Sequence, residues 1–166
     1  VGYLRASGYF AIRKYLENVP KVRILVGINV DNIIKKYHQV GLEFESNSEK
    51  ALEELKQHLK KDIQHSDYDK NIEEGILYFV KDVISGKIEI AAHPSKTIHA
   101  KIYIFKPKNF NEHNSGSVIS GSSNLSATGI GTLPESNYEF NVELKDFDDV
   151  NFASKEFNKL WQEATN

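Results

Sequence analysis

The chain is expected to fold as an α/β domain, a mixed β-sheet flanked by helices, and three observations carry that expectation. Short apolar runs alternate with runs of helical period along the whole sequence. The run His99-Ala100-Lys101-Ile102-Tyr103-Ile104-Phe105 is apolar on both faces, as strands in the middle of a sheet usually are. A second run, Ser117-Val118-Ile119-Ser120-Gly121, leads straight into the turn Ser122-Ser123-Asn124.

The elements follow in order. Val1–Leu4 reads as the end of a strand, and Arg5-Ala6-Ser7-Gly8 turns the chain, with Ser7 as the expected N-cap. Tyr9, Phe10, Ile12, Tyr15 and Leu16 keep helical spacing to about Asn18, before Pro20 ends the helix. Val22–Ile28 is a buried strand. Asp31 to about Asp69 is rich in Lys and Glu and reads as a helical insertion between core strands. Its strongest helix spans Glu49–His65, with Leu52, Leu55, Leu59 and Ile63 along one stripe. Ile72–Ile84 is an amphipathic helix closed by Ser85-Gly86. Ile88–Ala92 is a strand, His93–Lys96 a loop, and His99–Phe105 the two-sided strand. Lys106–Gly116 is a polar loop and Leu125–Pro134 a second one. Asn137–Leu144 alternates polar and apolar residues as a strand, and Phe152–Ala164 is a closing helix anchored by Phe157, Leu160 and Trp161.

Bulk properties narrow the function. At 166 residues the chain suits one domain over 1–166 with its own core. The net charge is −2, so a site for a polyanion has to be a local patch. The chain has no cysteine, which excludes disulfides and cysteine-ligated zinc and fits a cytoplasmic protein. No apolar run reaches the roughly 20 residues of a membrane span. The chain has no methionine and enters inside the strand-like Val1-Gly2-Tyr3-Leu4, so a piece of a longer protein is expected.

Three groups of residues could carry chemistry. His99 and Lys101 are two apart on a strand and share a face. Histidine can attack phosphorus or move a proton, and lysine supplies positive charge for phosphate oxygens. In Gly121-Ser122-Ser123-Asn124 the glycine allows close approach, and the hydroxyls and amide can donate to phosphate oxygens. Asn137, Glu139 and Asn141 share one face of a strand, and a carboxylate there could orient the histidine. Each element alone also has a plain structural reading, as a polar strand end, an ordinary turn or a solvated face. His38, His58, His65 and His113 fall in polar segments and read as surface residues, whereas His93 could line the site.

The order His99-x-Lys101, Gly121-Ser122-Ser123-Asn124, Glu139 resembles the phospholipase D superfamily. Its motif is a histidine, any residue, a lysine, four residues and an aspartate, then a Gly-Ser-x-Asn turn and a glutamate on a later strand. One element departs: the aspartate position is Lys106, and the spacing to the turn is longer than usual. The resemblance implies a single phospholipase D-like unit carrying a helical insertion, similar to single-motif nucleases that include a metal-independent restriction enzyme. It implies that His99 attacks phosphorus to form a phosphohistidine and that Lys101, Asn124, Ser122 and Ser123 hold the phosphoryl oxygens. Glu139 would hold the reactive tautomer of His99. No metal or other cofactor would be required. One motif is half of such a site, so a homodimer with facing motifs is expected, the partner's histidine protonating the leaving oxygen.

A narrower resemblance lies in Gly2–Tyr9 and Arg23–Ile28. It is to phospholipase D-like domains that precede superfamily II, often Swi/Snf-type, helicase cores in bacteria. It implies DNA as a partner and a helicase or ATPase domain in the parent chain; no membrane is expected, because no amphipathic stretch with a basic face is evident. The expected activity is a DNA-cleaving phosphodiesterase. The alternatives are a module that grips backbone phosphate without cutting it and a dimerisation scaffold attached to a helicase motor.

Overall fold

The structure is a computed structural model and describes residues 1–27, 29–43 and 70–165. Its elements run β1 (Tyr3–Leu4), α1 (Ala6–Ile12), a 3-10 turn (Arg13–Leu16), β2 (Val22–Val26), β3 (Asn29–Val30) and α2 (Asn32–Glu43). They continue with α3 (Lys70–Ile84), β4 (Ile88–Ala92), β5 (Ile102–Phe105), β6 (Ser117–Gly121), β7 (Asn141–Leu144) and α4 (Phe147–Thr165). The α/β class is as expected. Among the described residues the strands hydrogen-bond as three ladders, β1-β3, β2-β4 and β5-β6-β7, where one mixed sheet was expected. The expected helix Glu49–His65 lies outside the described residues, and so does the insertion beyond α2.

Two compact units divide the chain, one of Val1–Leu4, Ile24–Asn29 and Ile90–Asn166, the other of Arg5–Arg23 and Val30–Glu89. In the second, α1 ends at Ile12 and tightens into the 3-10 turn, so the helix expected through Asn18 is shorter. Tyr15, assigned to its apolar stripe, is 71% exposed. Ser7 does not cap α1. The N-cap position is Arg5, whose side chain makes no capping bond, and the Ala6 N–H donates instead to Asp31 Oδ2 at 2.7 Å. The other oxygen of Asp31 accepts from Ile34 N–H at 2.9 Å, so one carboxylate serves the N-termini of α1 and α2.

Helix α2 packs on α3, whose buried stripe is Ile76, Phe79, Val80 and Val83. Helix α3 stops at Gly86, where φ is +69°, as the Ser85-Gly86 pair predicts. Asp82, on the buried side of α3, accepts from Tyr9 Oη at 2.7 Å and pairs with Arg13 Nε at 2.7 Å. Burial, and then the bond to Asp82, raise the Tyr9 phenol far above its ordinary range. His38 of α2 is half-buried rather than exposed, and burial lowers its imidazole.

The first unit is built on the antiparallel ladder β5-β6-β7. Ile102, Tyr103, Ile104 and Phe105 face Ser120, Ile119, Val118 and Ser117 in turn. Strand β5 starts at Ile102, not His99, and it is not buried on both sides. Ile102 is 42% and Phe105 53% exposed, because among the described residues β5 pairs with β6 alone and β6 takes the centre, with Val118 2% exposed. Strand β7 likewise starts at Asn141 rather than Asn137. Before β1, Val1 lies against β2: its nitrogen donates to Leu25 O at 2.8 Å and its carbonyl accepts from Gly27 N–H at 3.0 Å, the pattern of a parallel pair. Leu4 makes a parallel bridge to Leu125, and both are buried.

Helix α4 starts five residues before the expected Phe152. Its first turn carries Asp148 and Asp149, which suit the positive end of a helix dipole. Its buried residues are Val150 and Ser154, whereas the expected anchors Phe157, Leu160 and Trp161 are half-buried. Phe157 and Trp161 stack on each other at 5.6 Å between centroids.

Candidate active site

The register of the three-stranded ladder gathers the motif residues at one end. Beyond Ile102↔Ser120, the Gly121 N–H donates to Lys101 O at 3.3 Å, and Gly121 faces Asn141 across β7. Lys101, Gly121 and Asn141 therefore form the last row of the ladder. The chain enters that row on β5 from His99, leaves it on β6 into Ser122–Asn124, and enters it on β7 from Glu139. Antiparallel pairing puts all three stretches on the same side of the row.

His99 is exposed and Lys101 half-buried. Lys101 Nζ lies 3.1 Å from Nε2 and 3.4 Å from Nδ1 of His99 and donates to the His99 carbonyl at 3.0 Å. An ammonium only donates, so the imidazole accepts from Lys101, and the two side chains lie within hydrogen-bond reach of each other. Asn124 is fixed from the other side: its Oδ1 accepts the Tyr3 N–H at 2.9 Å, which leaves the amide nitrogen as a donor.

Gly2 sits between these groups. It is buried, and a Cβ built on it would lie 3.2 Å from Asn124 Oδ1, 3.6 Å from Lys101 Nζ and 3.7 Å from His99 Cδ2. One missing side chain thus brings His99, Lys101 and Asn124 around a single point.

Ser122 and Glu139 form a second cluster. The Ser122 hydroxyl donates to Glu139 Oε2 and accepts from Phe140 N–H at 3.0 Å. Glu139 Oε1 accepts from Asn137 Nδ2 at 3.2 Å. Burial, and then the Glu139 charge, push the Tyr103 phenol up to about 12, which places that carboxylate near Tyr103 as well. Ser123 is 7% exposed and turned inward. Its hydroxyl accepts from Asn141 Nδ2 at 2.8 Å and its carbonyl from Tyr103 Oη at 2.9 Å, so it holds the turn together. Lys106, where the aspartate was expected, lies over the Phe110 ring at 4.3 Å. His93 is bonded to Glu163 of α4, and His113 is exposed.

Sequence reasoning missed Gly2, the Tyr3 N–H, Tyr103 and Asn141 as supports of the site. Only Asn141 carried a signal, its place on the polar face with Glu139.

Among the described residues no helix is long and apolar enough to cross a membrane. No curated protein and no solved structure matches the chain. The family model described as "Cardiolipin synthase, PLD-like domain" matches residues 9–161, all but a few residues at each end, and the chain belongs to this phospholipase D-like family.

Proposed function

We propose that the chain is a phosphodiesterase that cleaves through a phosphohistidine. The observation that supports it is the convergence of His99, Lys101 and Asn124 around Gly2. A ring nitrogen of His99 attacks phosphorus, an N–P bond forms, and the bond to the leaving oxygen breaks with its electron pair. The Lys101 ammonium and the Asn124 amide nitrogen stabilise the charge that gathers on the phosphoryl oxygens. Ser122, whose hydroxyl proton is given to Glu139, and Ser123, which holds the turn together, support the position of Asn124. The family resemblance assigns Glu139 to the tautomer of His99, and its bonds to Ser122 and Asn137 hold it at the end of the ladder that His99 enters.

A proton for the leaving oxygen comes from the matching histidine of a second copy, so the working unit is a two-fold homodimer with facing motifs. Water then hydrolyses the N–P bond and restores the imidazole. The reaction uses no metal, because lysine and amide donors stabilise the oxyanion. DNA is the proposed substrate, in the cytoplasm, with a helicase or ATPase domain in the parent chain.

A non-catalytic phosphate grip is the second reading, favoured by Lys106 at the family's aspartate position. Hydrolysis of bis(4-nitrophenyl) phosphate and of single- and double-stranded DNA in chelator separates the two. Turnover that disappears in His99→Ala supports the enzyme. Phosphate binding that falls steeply with salt, without turnover in either protein, supports the grip.

A further inference from the structure

His93 lies outside the phosphate site, yet it is tied down more completely than any surface histidine needs. Its side chain is 2% exposed. Nδ1 accepts two backbone N–H groups, from Ser95 at 3.2 Å and from Lys96 at 3.0 Å. Two donors on one nitrogen require a lone pair there, so the proton sits on Nε2. Nε2 then donates to Glu163 Oε2 on α4 at 2.9 Å. Lys96 Nζ reaches the same oxygen at 2.5 Å. Hydrogen bonds from Lys96, and then from His93, hold the Glu163 carboxylate down to about 2.

The segment that begins at this clasp ends at a second fixed point. A Cβ on Gly27 would lie 1.5 Å from Ile98 O, so the β2 end and the Ile98 carbonyl are in direct backbone contact. His99 is the next residue. Pro94 stiffens the segment between the two points.

We infer that His93 is a positioning residue: it clasps α4 through Glu163, and with the Gly27–Ile98 contact it fixes the 94–98 segment that delivers His99 and Lys101 to the site. The inference rests on the proposed phosphodiesterase for its effect on rate and on geometry alone for its effect on the loop. A histidine at this place does two jobs that no amide does at once. Asparagine can reach the Ser95 and Lys96 N–H groups and glutamine can reach Glu163, each with the matching atom of the ring.

The experiment compares wild type, His93→Asn, His93→Gln and Glu163→Gln in the full chain by amide hydrogen exchange, inorganic phosphate titration and hydrolysis of bis(4-nitrophenyl) phosphate. Loss of the clasp in His93→Asn is expected to speed exchange over residues 97–101 while β6 keeps its protection. It also lowers kcat by about tenfold with KM little changed, since a small misplacement of a nucleophile costs rate before binding. Glu163→Gln, which keeps an acceptor, recovers most of that rate, and His93→Gln, which keeps the donor to Glu163 but loses the acceptor for Ser95 and Lys96 N–H, recovers only part of it. Unchanged exchange over residues 97–101 in His93→Asn overturns the inference. Should the wild type hydrolyse nothing, the phosphodiesterase reading fails, and the exchange pattern still decides the clasp.

Discussion

Lys101 and Gly121 face each other across β5 and β6, joined by the Gly121 N–H donating to the Lys101 carbonyl at 3.3 Å. This one pair brings two motifs together that are separated by a long polar loop. A slip of one residue in the register would turn the Lys101 side chain to the opposite face from His99's partners. The site is thus a consequence of strand pairing, and each support around it can be tested alone.

Gly2 is the first. Gly2→Val should fill the space between Asn124, Lys101 and His99, because even its first carbon would stand 3.2 Å from Asn124 Oδ1. We expect at least a tenfold loss of inorganic phosphate affinity, about 1.4 kcal/mol, measured by titration. Circular dichroism should show the folded content retained.

Gly27 tests the backbone contact. A Cβ 1.5 Å from Ile98 O forces the backbone to move, so Gly27→Ala should destabilise by about 1–3 kcal/mol, as overpacking does. Denaturant unfolding measures this. An unchanged midpoint would contradict the contact.

Asp82 tests the second unit. It is 5% exposed and carries both Tyr9 Oη and the Arg13 guanidinium. Asp82→Ala leaves a buried hydroxyl and a largely buried cation without their acceptor, at a cost of about 3–5 kcal/mol. Removing Arg13 in the same background should recover part of the loss, read by urea unfolding of the single and double variants.

Tyr103 gives a pH prediction. Its phenol ionises near 12 in the folded chain against about 10 when unfolded, so the folded state favours the neutral form. The stability this contributes is fully present below pH 10 and lost as the pH rises from about 10 to 12. Tyr103→Phe should flatten the alkaline stability profile in that window, followed by unfolding at a series of pH values. An identical profile would remove Tyr103 from the account.

Much of this was legible in the sequence, for physical reasons. Helix α3 was readable from its apolar stripe and from Gly86, because period and a left-handed glycine are local signals. Six residues stand out in the sequence for their chemistry; the structure gathers His99, Lys101 and Asn124 around Gly2, pairs Ser122 with Glu139 and turns Ser123 inward. What was not legible depends on long-range pairing. Asp31 caps α1 from 25 residues away, so no local pattern announces it and Ser7 looked like the cap. The strand from His99 looked buried because its residues are apolar, yet exposure follows from the ladder order, which among the described residues gives β5 one neighbour. The support from Gly2 and Tyr3 comes from a chain segment more than a hundred residues before Asn124.

The most direct test of the central claim is trapping of a phosphoryl group on His99. Wild type and His99→Ala are incubated with a phosphodiester in chelator, quenched at alkaline pH and read by mass spectrometry alongside turnover. The account predicts an acid-labile phosphoryl adduct at residue 99 and chelator-resistant turnover, both absent in His99→Ala. Turnover that persists without His99, or no adduct and no turnover in a folded dimer, would contradict it.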